Sequence, residues 1–155
     1  MTAARKIKGW RMKQLLLFTL VVLSLSLAAC KSGKDDAMLT ANDLVHRRFE
    51  LVTMNGDPVS EQNDTSLELS FGENMRVSGK ACNRFAGTAT LDKGVLTMRN
   101  AASTRMFCAE SRLNELETIL FAMFEKGAEA ALDKDTLTLK GNGHVLVYAR
   151  RDLAQ

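Results

Sequence analysis

Turn signals divide the chain between residues 48 and 150 into short segments, and this division constrains the fold more than any other feature. Single glycines and Asp- or Asn-containing turns separate segments in which apolar and polar residues alternate, which predicts strands. The predicted strands are Arg48–Thr53, Leu67–Phe71, Met75–Ser78, Ala81–Phe85, Thr88–Leu91, Val95–Arg99, Glu129–Leu132, Thr136–Lys140 and Val145–Arg150. Strands this short and evenly spaced favour an antiparallel barrel or meander over parallel βαβ units.

One amphipathic helix interrupts these strands. Its apolar residues recur at helical spacing, acids stand near its N-terminus, and Lys126-Gly127 closes it. The apolar positions are Leu113, Leu116, Leu120, Met123 and Phe124. Upstream, Thr40 and Asp43 have the spacing of an N-cap pair and predict a brief helical turn through His46. We therefore expect a mostly β (α+β) fold, in which one amphipathic helix packs on an antiparallel barrel-like sheet.

The first 29 residues have the composition of an export signal. An apolar run begins at Leu15, follows Lys13 and ends in Leu27-Ala28-Ala29-Cys30. At about 1.5 Å per residue the run spans roughly 24 Å, less than the roughly 30 Å of a bilayer's hydrocarbon core, so a permanent transmembrane helix is less favoured. The ending resembles the lipobox of bacterial lipoproteins.

The lipobox resemblance implies that residues 1–29 are a removed signal peptide and that the thiol of Cys30 is acylated. Residues 30–39 are polar and would form a tether, which leaves residues 40–155 as the folded domain. The expected partner of the N-terminus is a membrane. Lys31 stands where an Asp would signal inner-membrane retention in enteric bacteria, so the resemblance favours an outer-membrane lipoprotein facing the periplasm. The alternative for Cys30 is a buried structural cysteine. Translation could also start at Met12, because the segment from Met12 to Cys30 is already a complete signal.

The net charge of +3 does not indicate nucleic-acid binding. Five basic residues and no acidic ones lie within residues 1–29, which leaves 16 basic and 18 acidic residues in the rest of the chain. The only Trp, Trp10, lies within the signal, and Tyr148 is the only Tyr. The sequence therefore predicts neither a phosphate-binding footprint nor aromatic platforms for bases.

With Cys30 assigned to lipid, Cys82 and Cys108 remain as an even pair in an exported domain. Such a pair is most simply a disulfide, although two separate buried thiols are the alternative. A metal site is less favoured because the chain has no C-x-x-C and neither histidine lies at a ligand spacing. We expect no cofactor and no metal.

Two motifs around these cysteines resemble those of the META domain family. They are Ala81-Cys82-Asn83-Arg84-Phe85-Ala86-Gly87 and Ser103-Thr104-Arg105-Met106-Phe107-Cys108, and a helix with Leu113-Asn114-Glu115-Leu116 follows. Within that family the chain is similar to the HslJ group of enteric bacteria over nearly all of its mature part. The resemblance implies a β-rich barrel with one helix, a heat-inducible role in envelope stress, an association with novobiocin tolerance, and no accepted enzymatic activity. The motif positions of interest are Asn83, Arg84, Phe85, Thr104, Arg105 and Met106.

The polar motif residues each have two interpretations. Asn83 either serves a turn or faces a ligand at a corner beside the disulfide, and Arg84 either pairs with a surface acid or contributes to that corner. Arg105 either binds an anion or pairs with Glu110 or Glu115.

The apolar motif residues alternate with polar neighbours. Phe85, Met106 and Phe107 are therefore expected in the core, with a binding surface as the alternative. His46 and His144, the only histidines, are expected to face solvent, with a pH-sensing or catalytic role as the alternative.

No catalytic pattern is present in the sequence. It has no G-x-S-x-G, S-x-x-K, H-E-x-x-H or Walker loop, so an enzyme is not expected. The preferred function is a non-enzymatic stress lipoprotein that contacts an envelope protein. The alternatives are a barrel that binds an antibiotic or lipid and, last, an inhibitor or hydrolase of cell-wall material. A filled barrel interior favours surface contacts, whereas an enclosed apolar cavity near Cys82–Phe85 favours a carrier.

Overall fold

A computed structural model describes residues 38–59 and 67–151. The predicted signal peptide, Cys30, the tether up to residue 37 and residues 152–155 lie outside the described residues. The helices are α1 (Ala41–Leu44) and α2 (Ser111–Lys126), with a 3-10 turn at Glu73–Met75. The strands are β1 (Arg47–Met54), β2 (Asp57–Pro58), β3 (Glu68–Phe71), β4 (Arg76–Lys80), β5 (Arg84–Asp92), β6 (Val95–Ser103), β7 (Ala128–Asp133), β8 (Thr136–Gly141) and β9 (His144–Arg151).

Eight of these strands form a closed antiparallel barrel. They pair in the order β1-β3-β4-β5-β6-β7-β8-β9, and β9 pairs back with β1 from Arg48↔Arg151 to Met54↔Leu146. The two-residue strand β2 adds only to the edge of β1. Closure gives each of these eight strands two neighbours, although β6 and β7 pair only through Val95↔Glu129 and Leu96↔Ala128. The predicted antiparallel barrel with one packed helix is confirmed.

The barrel interior is packed with side chains. Alternate residues of the strands are buried, and α2 adds one apolar stripe to the same core, as its spacing predicts. The stripe consists of Leu116, Ile119, Leu120, Met123 and Phe124. The ring of Phe85 lies 5.5 Å from that of Phe121 and 6.2 Å from that of Phe124, which ties β5 to the helix. None of the helices in the described ranges has the length and apolar composition needed to cross a membrane.

The predicted N-cap pair is present at the start of α1. The backbone N–H and the hydroxyl of Thr40 both donate to Asp43 Oδ2, at 2.8 and 2.6 Å. These bonds lower the pKa of Asp43, because they stabilise its carboxylate form. The helical turn ends at Leu44, earlier than expected, and His46 has a positive φ of 64°.

Two glycines that were expected to separate strands instead lie inside them. Gly79 is in β4 and Gly87 is in β5, so Ala81–Phe85 and Thr88–Leu91 are not two strands. A Cβ at Gly87 would lie 2.8 Å from Met98 Sδ, so this glycine allows β5 to approach β6 closely. The pairing register shifts where Gly87 alone faces Asn100 and Ala101, so the extra residue of a bulge lies on β6, opposite Gly87, and Asn100 there has a positive φ of 52°.

The segment Ala81–Asn83, predicted as the start of a strand, is a bend between β4 and β5. The N–H of Ala81 donates to the carbonyl of Asn83 at 3.0 Å, so the chain reverses here before pairing resumes at Arg84. This bend faces the loop that precedes α2.

Candidate functional site

The two sequence motifs meet at one place in the fold. The bend Ala81–Asn83 lies against the loop of residues 104–110, which joins β6 to α2, and a disulfide links Cys82 to Cys108 across a Cα–Cα distance of 5.8 Å. This distance is ordinary for a disulfide. We call residues 104–108 the braced loop, because of the contacts described next.

The side chain of Asn83 is the centre of these contacts. It is only 5% exposed, and its Oδ1 accepts bonds from the Met106 N–H at 2.7 Å and the Thr104 hydroxyl at 2.9 Å. Its Nδ2 donates to the Met106 carbonyl at 3.0 Å and to Glu117 at 3.1 Å. The Asn83 N–H also donates to Glu117 Oε2 at 2.7 Å. The amide's two donors and its acceptor oxygen are thus all engaged inside the protein.

A second asparagine, Asn114 on α2, holds the other end of the loop. Its Oδ1 accepts a bond from the Cys108 N–H at 3.1 Å, and its Nδ2 donates to the carbonyls of Cys108 at 2.8 Å and Glu110 at 3.1 Å. Asn114 Oδ1 also lies 3.4 Å from Cys82 Sγ, a contact without a proton to share because that sulfur is in the disulfide. Asn114 therefore fixes both the loop and the start of α2.

Thr104 and Arg84 connect this site to the barrel. The Arg84 N–H donates to the Thr104 hydroxyl at 3.2 Å, and the Thr104 N–H donates to the Arg84 carbonyl at 3.0 Å. The side chains of Arg84 and Arg105 are exposed, and neither forms an ion pair with any residue in the described part of the chain. The interpretation that Arg105 pairs with Glu110 or Glu115 is therefore not what the structure contains.

The expectation that Met106 and Phe107 belong to the core is wrong. Phe85 is 3% exposed, as expected, but Met106 is 66% exposed and Phe107 is 88% exposed. The reason lies in the backbone: both the N–H and the carbonyl of Met106 turn inward to bond Asn83, so the Met106 side chain points outward. A shallow depression of about 530 Å³ lies beside the loop, and Phe121 and Glu117 contribute to its lining.

Two residues of this arrangement carried no assigned role in the sequence. Asn114 and Glu117 are three positions apart on α2, so they lie on one helix face, and both project toward the loop. Their three-residue spacing on the predicted helix is the one sequence signal that would have indicated Asn114 and Glu117 as a pair.

The remaining chemistry-bearing side chains do not gather at this site. His46 is exposed, and His144 is half-buried with its Nδ1 3.0 Å from Asn55 Nδ2. Within residues 38–59 and 67–151, no group of three or more His, Cys, Asp or Glu side chains is arranged to hold a metal ion.

Comparisons with known proteins place this geometry in a family. The model of the META domain matches residues 42–153. The chain is 42% identical over 133 residues to Heat shock protein HslJ of Escherichia coli (strain K12), an alignment that covers 86% of this chain and 94% of that protein.

Two solved structures are also similar. One protein solved by NMR is 42% identical with a TM-score of 0.68, and the match covers 72% of this chain and 95% of that one. Another, from Burkholderia xenovorans, is 19% identical with a TM-score of 0.58 over 73% of this chain and 87% of that one, a likeness of fold alone. The family resemblance read from the two cysteine motifs is confirmed, and the chain belongs to the META domain family.

Proposed function

We propose that this protein is a non-enzymatic, lipid-anchored protein of the envelope heat-shock response, and that it docks a protein partner at the braced loop. Its similarity to Heat shock protein HslJ supports the association with heat shock. The META family is not a known enzyme family, which supports a binding role. The lipobox resemblance at Cys30 supports an outer-membrane anchor facing the periplasm, and the novobiocin tolerance implied by the HslJ resemblance is part of the same proposal.

One observation carries this proposal. Met106 and Phe107 hold two large apolar side chains in solvent, although the disulfide and the amides of Asn83 and Asn114 fix the loop on both sides. An apolar anchor that is already ordered loses little conformational entropy on binding, which is the property of interface residues that dominate affinity. We therefore assign the loop a partner with an apolar pocket for Phe107 and a carboxylate for Arg105.

The alternative of a barrel that carries an antibiotic or lipid has less support. Buried strand residues and the apolar stripe of α2 occupy the interior beside Phe85. The depression next to Asn83 is shallow and lies at the surface. A filled interior favours contact through the outside of the protein.

A photo-crosslinking amino acid at position 107 of the full-length protein tests the docking surface in heat-shocked cells. We expect one discrete protein adduct that the second-site change Met106→Ser abolishes, because the partner pocket receives both side chains. Position 52 is the control, because Val52 is an exposed apolar residue on β1, outside the braced loop, and we expect no adduct from it.

The variant Phe107→Ser separates docking from folding. Because the ring is exposed, the substitution should change the melting temperature by no more than about 2 °C, while cells that carry it lose tolerance of heat and novobiocin. Adducts of equal yield at positions 52 and 107, or full tolerance with both Met106→Ser and Phe107→Ser in place, would contradict the proposal.

A further inference from the structure

A groove of about 1030 Å³ runs over the outer face of the barrel, apart from the braced loop. Its lining contains six basic residues and no Asp or Glu: His46, Arg47, Arg48, Arg76, Arg150 and Arg151. These residues come from three distant stretches of the chain, so the sequence shows no basic cluster. The overall balance of 16 bases and 18 acids after residue 29 conceals this local excess of positive charge.

Closure of the barrel brings the arginines together. Arg48 on β1 is the register partner of Arg151 on β9 and of Ser70 on β3. Ser70 pairs in turn with Ser78 on β4, the strand that begins at Arg76. Arg76 therefore lies at one side of the groove, on β4, and Arg48 and Arg151 lie toward the other side, on β1 and β9.

The floor of the groove is made of small residues. Ser70, Ser78 and Ala86 pair across β3, β4 and β5, and along each strand they alternate with the core residues Leu69, Val77 and Phe85. Since neighbours on a strand face opposite sides of the sheet, these small residues face outward. They leave room for a ligand, and the two serine hydroxyls can donate hydrogen bonds to it.

Nearby carboxylates compensate only part of the charge. Arg48 and Arg150 lie 3.5 Å from Glu68 and Asp135, and Arg151 contacts Glu50, but these acids stand outside the lining. Arg76 is exposed and forms no ion pair with any residue in the described ranges, whereas Arg47 interacts electrostatically with Asp43. The guanidinium group of Arg76 is thus available to an anion in the groove.

The geometry also limits the kind of anion. Guanidinium groups bind phosphate through paired N–H donors, and the lining contains no Tyr or Trp, while its one Phe, Phe71, is 2% exposed. The two sides, β4 and β9, are three strand spacings apart, about 14 Å, so the basic side chains start from points spread across the width of the groove. We propose that the groove binds a ligand carrying two phosphate groups, one near Arg76 and the other near Arg48 and Arg151.

The full-length protein, reconstituted in phosphatidylcholine vesicles, tests this with two sources of paired phosphates. Fructose 1,6-bisphosphate is the soluble probe, with inorganic phosphate as its single-phosphate control. Cardiolipin in the vesicles is the lipid probe, with twice the molar amount of phosphatidylglycerol as its control. We expect a bisphosphate to raise the melting temperature more than its matched control, because ligand binding to the folded state stabilises it. A shift with the sugar assigns a soluble ligand, and a shift with cardiolipin alone assigns a lipid headgroup.

Two variants locate the binding, and a third is the control. Arg76→Gln removes an exposed cation without breaking an ion pair, and Ser78→Leu fills the floor without changing charge. Arg76→Gln should weaken the bisphosphate's apparent affinity about tenfold, which corresponds to one lost charge-assisted contact, and Ser78→Leu should weaken it by about the same factor because the larger side chain occupies the ligand's space. Lys140→Gln, which removes an exposed cation on β8 outside the groove, should change the affinity less than about twofold. Equal losses in Arg76→Gln and Lys140→Gln, shifts no larger than those of the single-phosphate controls, or no shift with either bisphosphate would overturn the proposal. None of these outcomes bears on docking at the braced loop.

Discussion

Removal of the disulfide with Cys82→Ala and Cys108→Ala is expected to lower the free energy of unfolding by about 3.5 kcal/mol. The bond joins residues 26 positions apart, and a closed loop of that length restricts the unfolded chain by about this amount in the chain-entropy model. For a domain of this size the loss corresponds to a fall in melting temperature of roughly 10–20 °C. Thermal unfolding followed by circular dichroism measures it.

Reductant provides the matched control for this prediction. It should lower the melting temperature of the wild-type protein to nearly that of the double variant and leave the double variant unchanged. A wild-type melting temperature that does not respond to reductant would show that the bond contributes nothing to stability. Because the barrel core does not depend on the bond, the double variant should keep its strand content at low temperature.

Asn83→Ala is expected to lower the free energy of unfolding by about 2–4 kcal/mol, because it removes a buried amide whose partners include a carboxylate. The substitution leaves the Met106 N–H, the Thr104 hydroxyl and part of the Glu117 carboxylate without partners. Chemical denaturation of the two proteins gives the difference.

The control for that measurement is Asn42→Ala, which changes an exposed asparagine on α1 and should shift stability by less than about 0.5 kcal/mol. A double-mutant cycle with Glu117→Ala should give a coupling of about 1–2 kcal/mol, because the side-chain amide of Asn83 donates to the carboxylate of Glu117. Additive effects, or a loss for Asn83→Ala no larger than that of the control, would mean that Asn83 does not brace the loop.

The elements with strong periodicity could be predicted from the sequence. The apolar spacing from Leu113 to Phe124 predicts α2, and the short alternating segments between turns predict most of the strands and the barrel. Both predictions succeed because these elements follow from the local pattern of apolar and polar residues. Thr40 and Asp43 marked the start of α1 for the same reason.

Features that depend on contacts between distant residues could not be predicted. The spacing of Gly79 and Gly87 is typical of turns, but both lie inside strands. The side chains of Phe85 and Met98 pack so close to them that a Cβ at either position would clash. Met106 and Phe107 have the pattern of core residues, yet the bonds to Asn83 turn the backbone of Met106 inward, and both side chains are exposed. Arg48 and Arg151 become neighbours only because β9 pairs back with β1, which brings both into one groove with Arg76.

Amide hydrogen exchange in the braced loop tests the central claim most directly. The N–H groups of Met106 and Cys108 donate to Asn83 and Asn114, whereas the N–H of Phe107 between them donates to no group in the described ranges. We therefore predict slow exchange at residues 106 and 108 and fast exchange at residue 107, with the slow exchange at 106 lost in Asn83→Ala. Uniformly fast exchange across residues 105–108 in the wild-type protein would contradict a braced loop and, with it, the docking surface.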